Sequence, residues 1–207
     1  MWSGDSSTTP DELARAVEET GLDVVCITDH STVKGALVLS ARLACRVIVG
    51  QEQRTPEGEL IGLFLSEPVP PGCRSVRDAA RVIKDQGGLV SVPHPLEPRR
   101  HSLDETTIVR LADEGTVDLL EVRNAKSSSE ETWRQVEALC DRLGLTQIAG
   151  SDAHVPEALG AAYVEIEAFD TAEEFVTALR GGTVAGHLFD PPRSFEVRVV
   201  PSLKTLG

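Results

Sequence analysis

Strand-forming and helix-forming segments alternate along almost the whole chain of 207 residues. That alternation restricts the fold more than any other feature. Short β-rich runs stand at "DVVCI", "RVIVG", "ELIGLFL", "GLVSV", "VDLLEV", "LTQIAG" and "AAYVEIE". Helical signals fall between them. Thr9-Pro10-Asp11-Glu12 has the form of a capping box, and its helix ends near Gly21. Further helices are expected over 32–44, from Ser75 to Gly87-Gly88, over 103–113, over 129–143, and from Thr171 with Glu174 to Gly181-Gly182. "SFEVRVV" alternates as a half-exposed terminal strand would. Strand-then-helix repetition implies a parallel sheet with right-handed crossovers, either a barrel or an open doubly wound sheet.

Composition removes several alternatives. With 41% apolar and 26% charged residues the chain reads as one soluble globular domain over 1–207. No run approaches a membrane span, and no secretory leader opens the sequence. Cys26, Cys45, Cys73 and Cys140 form no C-x-x-C pair and read as reduced cytoplasmic thiols. A net charge of −13 disfavours a broad duplex-binding surface but leaves room for a local basic or cation-binding pocket.

Chemistry concentrates at the strand ends. Thr28-Asp29-His30 follows "DVVCI", Gln51-Glu52 follows "RVIVG", and Pro93-His94-Pro95 follows "GLVSV". Glu121, Arg123 and Asn124 end or follow "VDLLEV", and Ser151-Asp152-Ala153-His154 follows "LTQIAG". Carboxyl ends of parallel strands converge on one face, where barrel and open-sheet enzymes build their sites. Taken singly, His30 is an ordinary loop histidine, Glu52 a surface charge and "GSDAH" a solvated turn. Their matched positions in successive units favour a metal site, and imidazoles with carboxylates suit Zn, Mn or Fe. His101 and His187 stand outside this pattern, His187 as a structural or solvated residue.

In these segments the chain resembles the PHP (polymerase and histidinol phosphatase) superfamily. "GLDVVCITDHSTVKGA", "GGLVSVPHP" and "GSDAH" are similar to its second, third and fourth motifs, and "VIVGQE" to the segment bearing a bridging glutamate. "GDSSTTPDEL" resembles the stretch after its first motif. The resemblance implies a distorted (β/α)7 TIM-like barrel with two or three divalent ions (Mn, Fe or Zn). It implies hydrolysis of a phosphate mono- or diester by a metal-activated water. The substrate would be a nucleotide, an oligonucleotide or a small phosphorylated metabolite. Carried over by position, Glu52, His94 and Asp152 form one ligand group, and Asp5, His30 and His154 another. Asp29 would orient an imidazole from behind. Asn124 stands where some relatives have a further histidine ligand. Arg99, Arg100 and Lys126 are candidate phosphate contacts.

The first motif of the family, His-x-His at the end of a first strand, is absent between residues 1 and 207. Two explanations stand: the true start lies upstream, or the chain is a shortened paralogue lacking two ligands of one ion. The later ligand positions are kept, which favours the first. Two other functional classes remain open. One is a degenerate, non-catalytic PHP module with a binding or structural role. The other is an amidohydrolase-type enzyme, disfavoured because no lysine occupies a strand end.

Overall fold

The computed structural model describes residues 2–195 and 198–200. The helices are α1 Pro10–Thr20, α2 Lys34–Leu39, α3 Val76–Asp85, α4 Glu105–Asp113, α5 Glu130–Leu143 and α6 Ala172–Arg180. The strands are β1 Val24–Ile27, β2 Arg46–Arg54, β3 Glu59–Leu63, β4 Leu89–Val92, β5 Leu119–Asn124, β6 Thr146–Gly150, β7 Ala162–Glu165, β8 Thr183–Gly186, β9 Arg193–Phe195 and β10 Arg198–Val200. Local chemistry explains most boundaries. Thr9 and Thr171 each close a full capping box with Glu12 and Glu174, and Ser75, Asp104 and Ser129 cap α3, α4 and α5. Gly21 and Gly144 end α1 and α5 in the left-handed conformation.

The six strands β1 to β6 form one sheet in sequence order, with β1 and β6 at its edges. The all-parallel expectation is corrected here. β1–β2, β4–β5 and β5–β6 pair in parallel, whereas β2–β3 and β3–β4 are antiparallel. The cause is a four-residue turn: Thr55 N and Oγ1 both donate to Gly58 O, at 2.9 and 2.7 Å, and send the chain straight back beside β2. A turn this short cannot hold a crossover helix. Three other expectations shift. Helix 32–44 shrinks to α2, where Ser40 Oγ bonds back to Leu37 O at 2.8 Å. "RVIVG" continues to Arg54. β8, which pairs antiparallel with β7, had no counterpart among the expected strands. The expected terminal strand includes 196–197, which lie outside the described residues.

The sheet curls as an incomplete TIM-like barrel, burying both faces. Leu119 and Leu120, consecutive and both fully buried, show the division. Leu120 packs outward with Ile83, Ile108 and Val136 of α3, α4 and α5. Leu119 packs inward with Ile48, Leu63 and Leu89. Phe64, Phe169 and Phe175 plug the inner bottom, with ring centroids 4.8–6.4 Å apart. Above them a cleft of about 1150 Å³ runs up to the carboxyl ends of the parallel strands. No helix among the described residues is long and apolar enough to cross a membrane.

Because Leu120 is enclosed by both sheet and helices, Leu120→Ala is expected to cost about 2–5 kcal/mol. A urea titration reads this as a lowered midpoint with an unchanged slope.

Candidate metal centre

Backbone pairing fixes the first two donors. Beyond β1 the chain stays against β2: His30 and Glu52 form a parallel bridge, Glu52 N donates to Asp29 O at 3.2 Å, and Ser31 N donates to Glu52 O at 2.9 Å. The antiparallel return adds a donor absent from the expected set. Glu52 faces Ile61 across the β2–β3 ladder, and Glu59 lies two residues from Ile61, on the same face. Glu59 is 4% exposed.

His30, Glu52 and Glu59 offer donor atoms all within 4.8 Å of one another. His94 Nε2 faces the same carboxylates, 3.1 Å from Glu52 Oε1 and 3.4 Å from Glu59 Oε2. His30 Nε2 is 3.6 Å from Glu52 Oε2. Ligands held tetrahedrally at zinc distances lie about 3.3–3.6 Å apart. The spacing therefore fits a small divalent ion, and imidazole with carboxylate suits Zn, Mn or Fe. Among the described residues, His30 Nδ1 is the buried side-chain atom left without a hydrogen-bond partner. The ring is not held by ordinary hydrogen bonding on both sides. His94 is anchored from behind, its Nδ1 2.9 Å from Ser102 Oγ.

The second expected grouping meets at Asp5. Its Oδ2 is 2.9 Å from His154 Nε2 and 3.2 Å from His30 Nε2. Burial would raise the Asp5 carboxyl, but hydrogen bonds with His154, His30 and Ser3 outweigh it and hold it well below the usual range. The same contact with Asp5 raises the His30 imidazole.

Asp152 is engaged differently. Its carboxylate takes an ion pair from Arg100, a 3.1 Å hydrogen bond from Asn124 Nδ2, and lies 3.6 Å from Lys126 Nζ and 3.3 Å from His154 Nδ1. The structure thus brings Glu52 to His94 but pairs Asp152 with Arg100. Burial opposes ionisation of Asp152, yet Arg100, Lys126 and His154 hold it well below the usual carboxylate range. Arg99 is exposed. Lys126 is buried, with Nζ 3.1 Å from His154 Nδ1, so a lysine does reach the mouth from just beyond a strand end. It lies beside Asp152 and His154, away from the His30–Glu52–Glu59 group.

Asp29 does not hold a ring. Its carboxylate accepts a hydrogen bond from the Ser3 backbone and lies against Gly35, where a Cβ would collide with it. Burial, and then Asp5, raise its pKa. The exposed His187 ring leans on Phe189, and His101 Nε2 sits 2.6 Å from Thr55 O, both apart from the mouth.

Glu121 lies beneath these groups. Its carboxylate accepts from His94 N at 2.6 Å and from Asn124 Nδ2 at 2.9 Å. His94 and Asp152 both adopt positive φ, +32° and +49°, a strained conformation found at sites the surrounding fold over-determines. Gly150 leaves room for Glu121, since a Cβ there would strike Oε1. Burial pushes the Glu121 carboxyl up to about 7. Glu59 and Glu121 were both missed as site residues by sequence. Glu59 opens a strand instead of ending one, and Glu121, although it stands with the strand-end residues, has no role assigned by the sequence.

A family model described as PHP-associated matches residues 131–184. An uncharacterized protein of Methanocaldococcus jannaschii is 40% identical over 97 residues, 45% of this chain and 56% of that protein. The chain spans about half the length of the curated relatives it matches. Among solved structures, a two-domain Bacteroides vulgatus protein containing a predicted PHP-like metal-dependent phosphoesterase superposes with TM-score 0.72 at 20% identity. The match covers 90% of this chain and 62% of that one. A Chromobacterium violaceum amidohydrolase with bound sulfate and no metal gives TM-score 0.63 at 18% identity, covering 84% and 93%. At such identities these likenesses are of fold.

Glu121 sets a testable pH dependence. With its folded pKa raised from 4.5 to about 7, the unfolded chain releases this proton first. Stability from this group is present below about 4.5 and is lost as pH rises towards 7. Glu121→Gln is expected to lack that decline, so the variant gains on the parent between pH 5 and 7 in denaturation midpoints. Gly150→Ala is expected to cost about 1–3 kcal/mol through overpacking, read in the same titration.

Proposed function

We propose that this chain is a metal-dependent phosphoesterase of the PHP superfamily, a reading supported by the PHP-associated match over residues 131–184 and by the fold. One observation carries the reading: the His30–Glu52–Glu59 group, with His94 against it, shares a strand-end mouth with the half-buried Arg100 and the buried Lys126. His30, Glu52 and Glu59 would hold the ion, with His94 beside the two carboxylates. When bound, a divalent ion supplies positive charge to phosphoryl oxygens and brings water towards ionisation near neutral pH. The chain's own cations would orient the ester. A guanidinium carries five N–H donors, so Arg100 can keep Asp152 and still present others to a phosphate. Lys126 adds a second positive charge on that side. Glu121 keeps the His94 backbone and Asn124 in place beneath them.

The proposed substrate is a phosphate mono- or diester of a small molecule or short oligonucleotide. A charge of −13 disfavours long duplexes. A cytoplasmic place agrees with four unpaired cysteines. The non-catalytic module is the second reading, favoured by the ion pair that occupies Asp152.

A phosphate-release panel of nucleotides, short oligonucleotides and sugar phosphates, run with Mn, Fe or Zn and with chelator, separates the two. The enzyme reading expects metal-dependent release, and a Glu59→Gln variant with metal affinity lowered roughly tenfold or more. Metal binding without release from any substrate supports the module. Ammonia or a carboxylate released in place of phosphate would transfer the chain to the amidohydrolase class.

A further inference from the structure

We infer that Arg100 permanently fills the cation position at Asp152, so that this chain takes no metal ion there and binds metal only away from it. The inference rests on reading the mouth as a metal centre, but it concerns how many ions the centre admits.

The first support is burial. The Arg100 and Asp152 side chains are 14% and 11% exposed, and the guanidinium Nη1 donates to Asp152 Oδ2. A charge-assisted bond in so dry a place is hard to open, because both ions must regain water. The second is rigidity around the arginine. Its loop is pinned at each turn: Arg100 N donates to Glu97 O at 3.2 Å, and Leu96 N to Leu103 O at 3.3 Å. Ser102 Oγ donates to His94 O at 2.8 Å, and buried Glu97 accepts from Ser128 N at 3.0 Å. Arg100 is therefore delivered to Asp152 by a fixed loop.

The third support is saturation. Asn124 Nδ2 occupies the same Asp152 oxygen as Arg100, while Lys126 Nζ and His154 Nδ1 face the other. Both in-plane lone pairs of Oδ2 are engaged, and a divalent ion approaching Oδ1 would stand beside two fixed positive charges. At Glu52 and Glu59 the demand is reversed. Their carboxylates face imidazole nitrogens at 3.1–3.6 Å. Arg54 Nε, 2.8 Å from Glu59 Oε1, is the cation bonded there, and its side chain is 67% exposed. One strand-end carboxylate is thus neutralised from within, and the neighbouring pair still calls for a cation.

The test counts bound metal by elemental analysis after dialysis against Mn or Zn, with Co(II) absorbance as a second readout. It uses the whole chain and four proteins. Asp152→Asn is expected to leave the parent's metal count unchanged. Arg100→Met is expected to raise it by one ion per chain, because Asp152 then lacks its counter-ion. Arg100→Met with Asp152→Asn should return to the parent count. Loss of one ion in Asp152→Asn, or no gain in a folded Arg100→Met, overturns the inference. If Arg100→Met does not fold, the Asp152→Asn count decides alone. Phosphate release plays no part in these counts. An inactive chain showing this pattern would remove the phosphoesterase reading and leave the inference standing.

Discussion

Carboxylates gathered at one end of a curled sheet repel each other, and the mouth can exist only if each is neutralised. Two like charges 4 Å apart at a partly dry site oppose one another by about 4 kcal/mol at an effective dielectric of 20. This chain brings Asp5, Asp29, Glu52, Glu59, Glu121 and Asp152 to that end. Each is handled differently. Asp152 has a guanidinium, Asp5 two imidazoles, and Asp29 a backbone N–H with a raised pKa. Glu121 is buried deeply enough to hold its proton towards neutrality. Glu52 and Glu59 share two imidazoles, and an exposed arginine contacts Glu59. The greatest unmet demand for positive charge thus falls between β2 and β3.

The antiparallel hairpin creates that demand. In an all-parallel sheet each strand offers only its carboxyl end to the mouth. The reversal after Thr55 lets β3 offer its amino end, so Glu59 lies beside the residues that terminate β2. Between β4 and α4 the chain makes no such simple turn. His94 and Leu96 take positive φ, and Ser102 and Leu103 bind the loop back on itself. This strained segment carries both a candidate ligand and the arginine that neutralises Asp152. Metal chemistry and charge compensation are therefore mechanically linked through one loop.

The sequence by itself determined the alternation of elements, their caps, and the strand-end placement of His30, Glu52, His94, Asp152 and His154. These are local matters: capping boxes, β-branched runs and the polar residues that follow them are all read within a few positions. It also carried the resemblance that gave the fold. Only the tertiary structure decided the groupings. Glu59 entered the mouth because of strand direction, which depends on a turn and its pairing and not on residue type. Asp152 took Arg100 and Asn124 as partners because a loop 52 residues away in sequence is pinned beside it. Asp29 turned to the Ser3 backbone for the same kind of reason. Coulomb interactions act through space, and side chains far apart in the sequence acquire their roles only when the sheet curls and sets their distances.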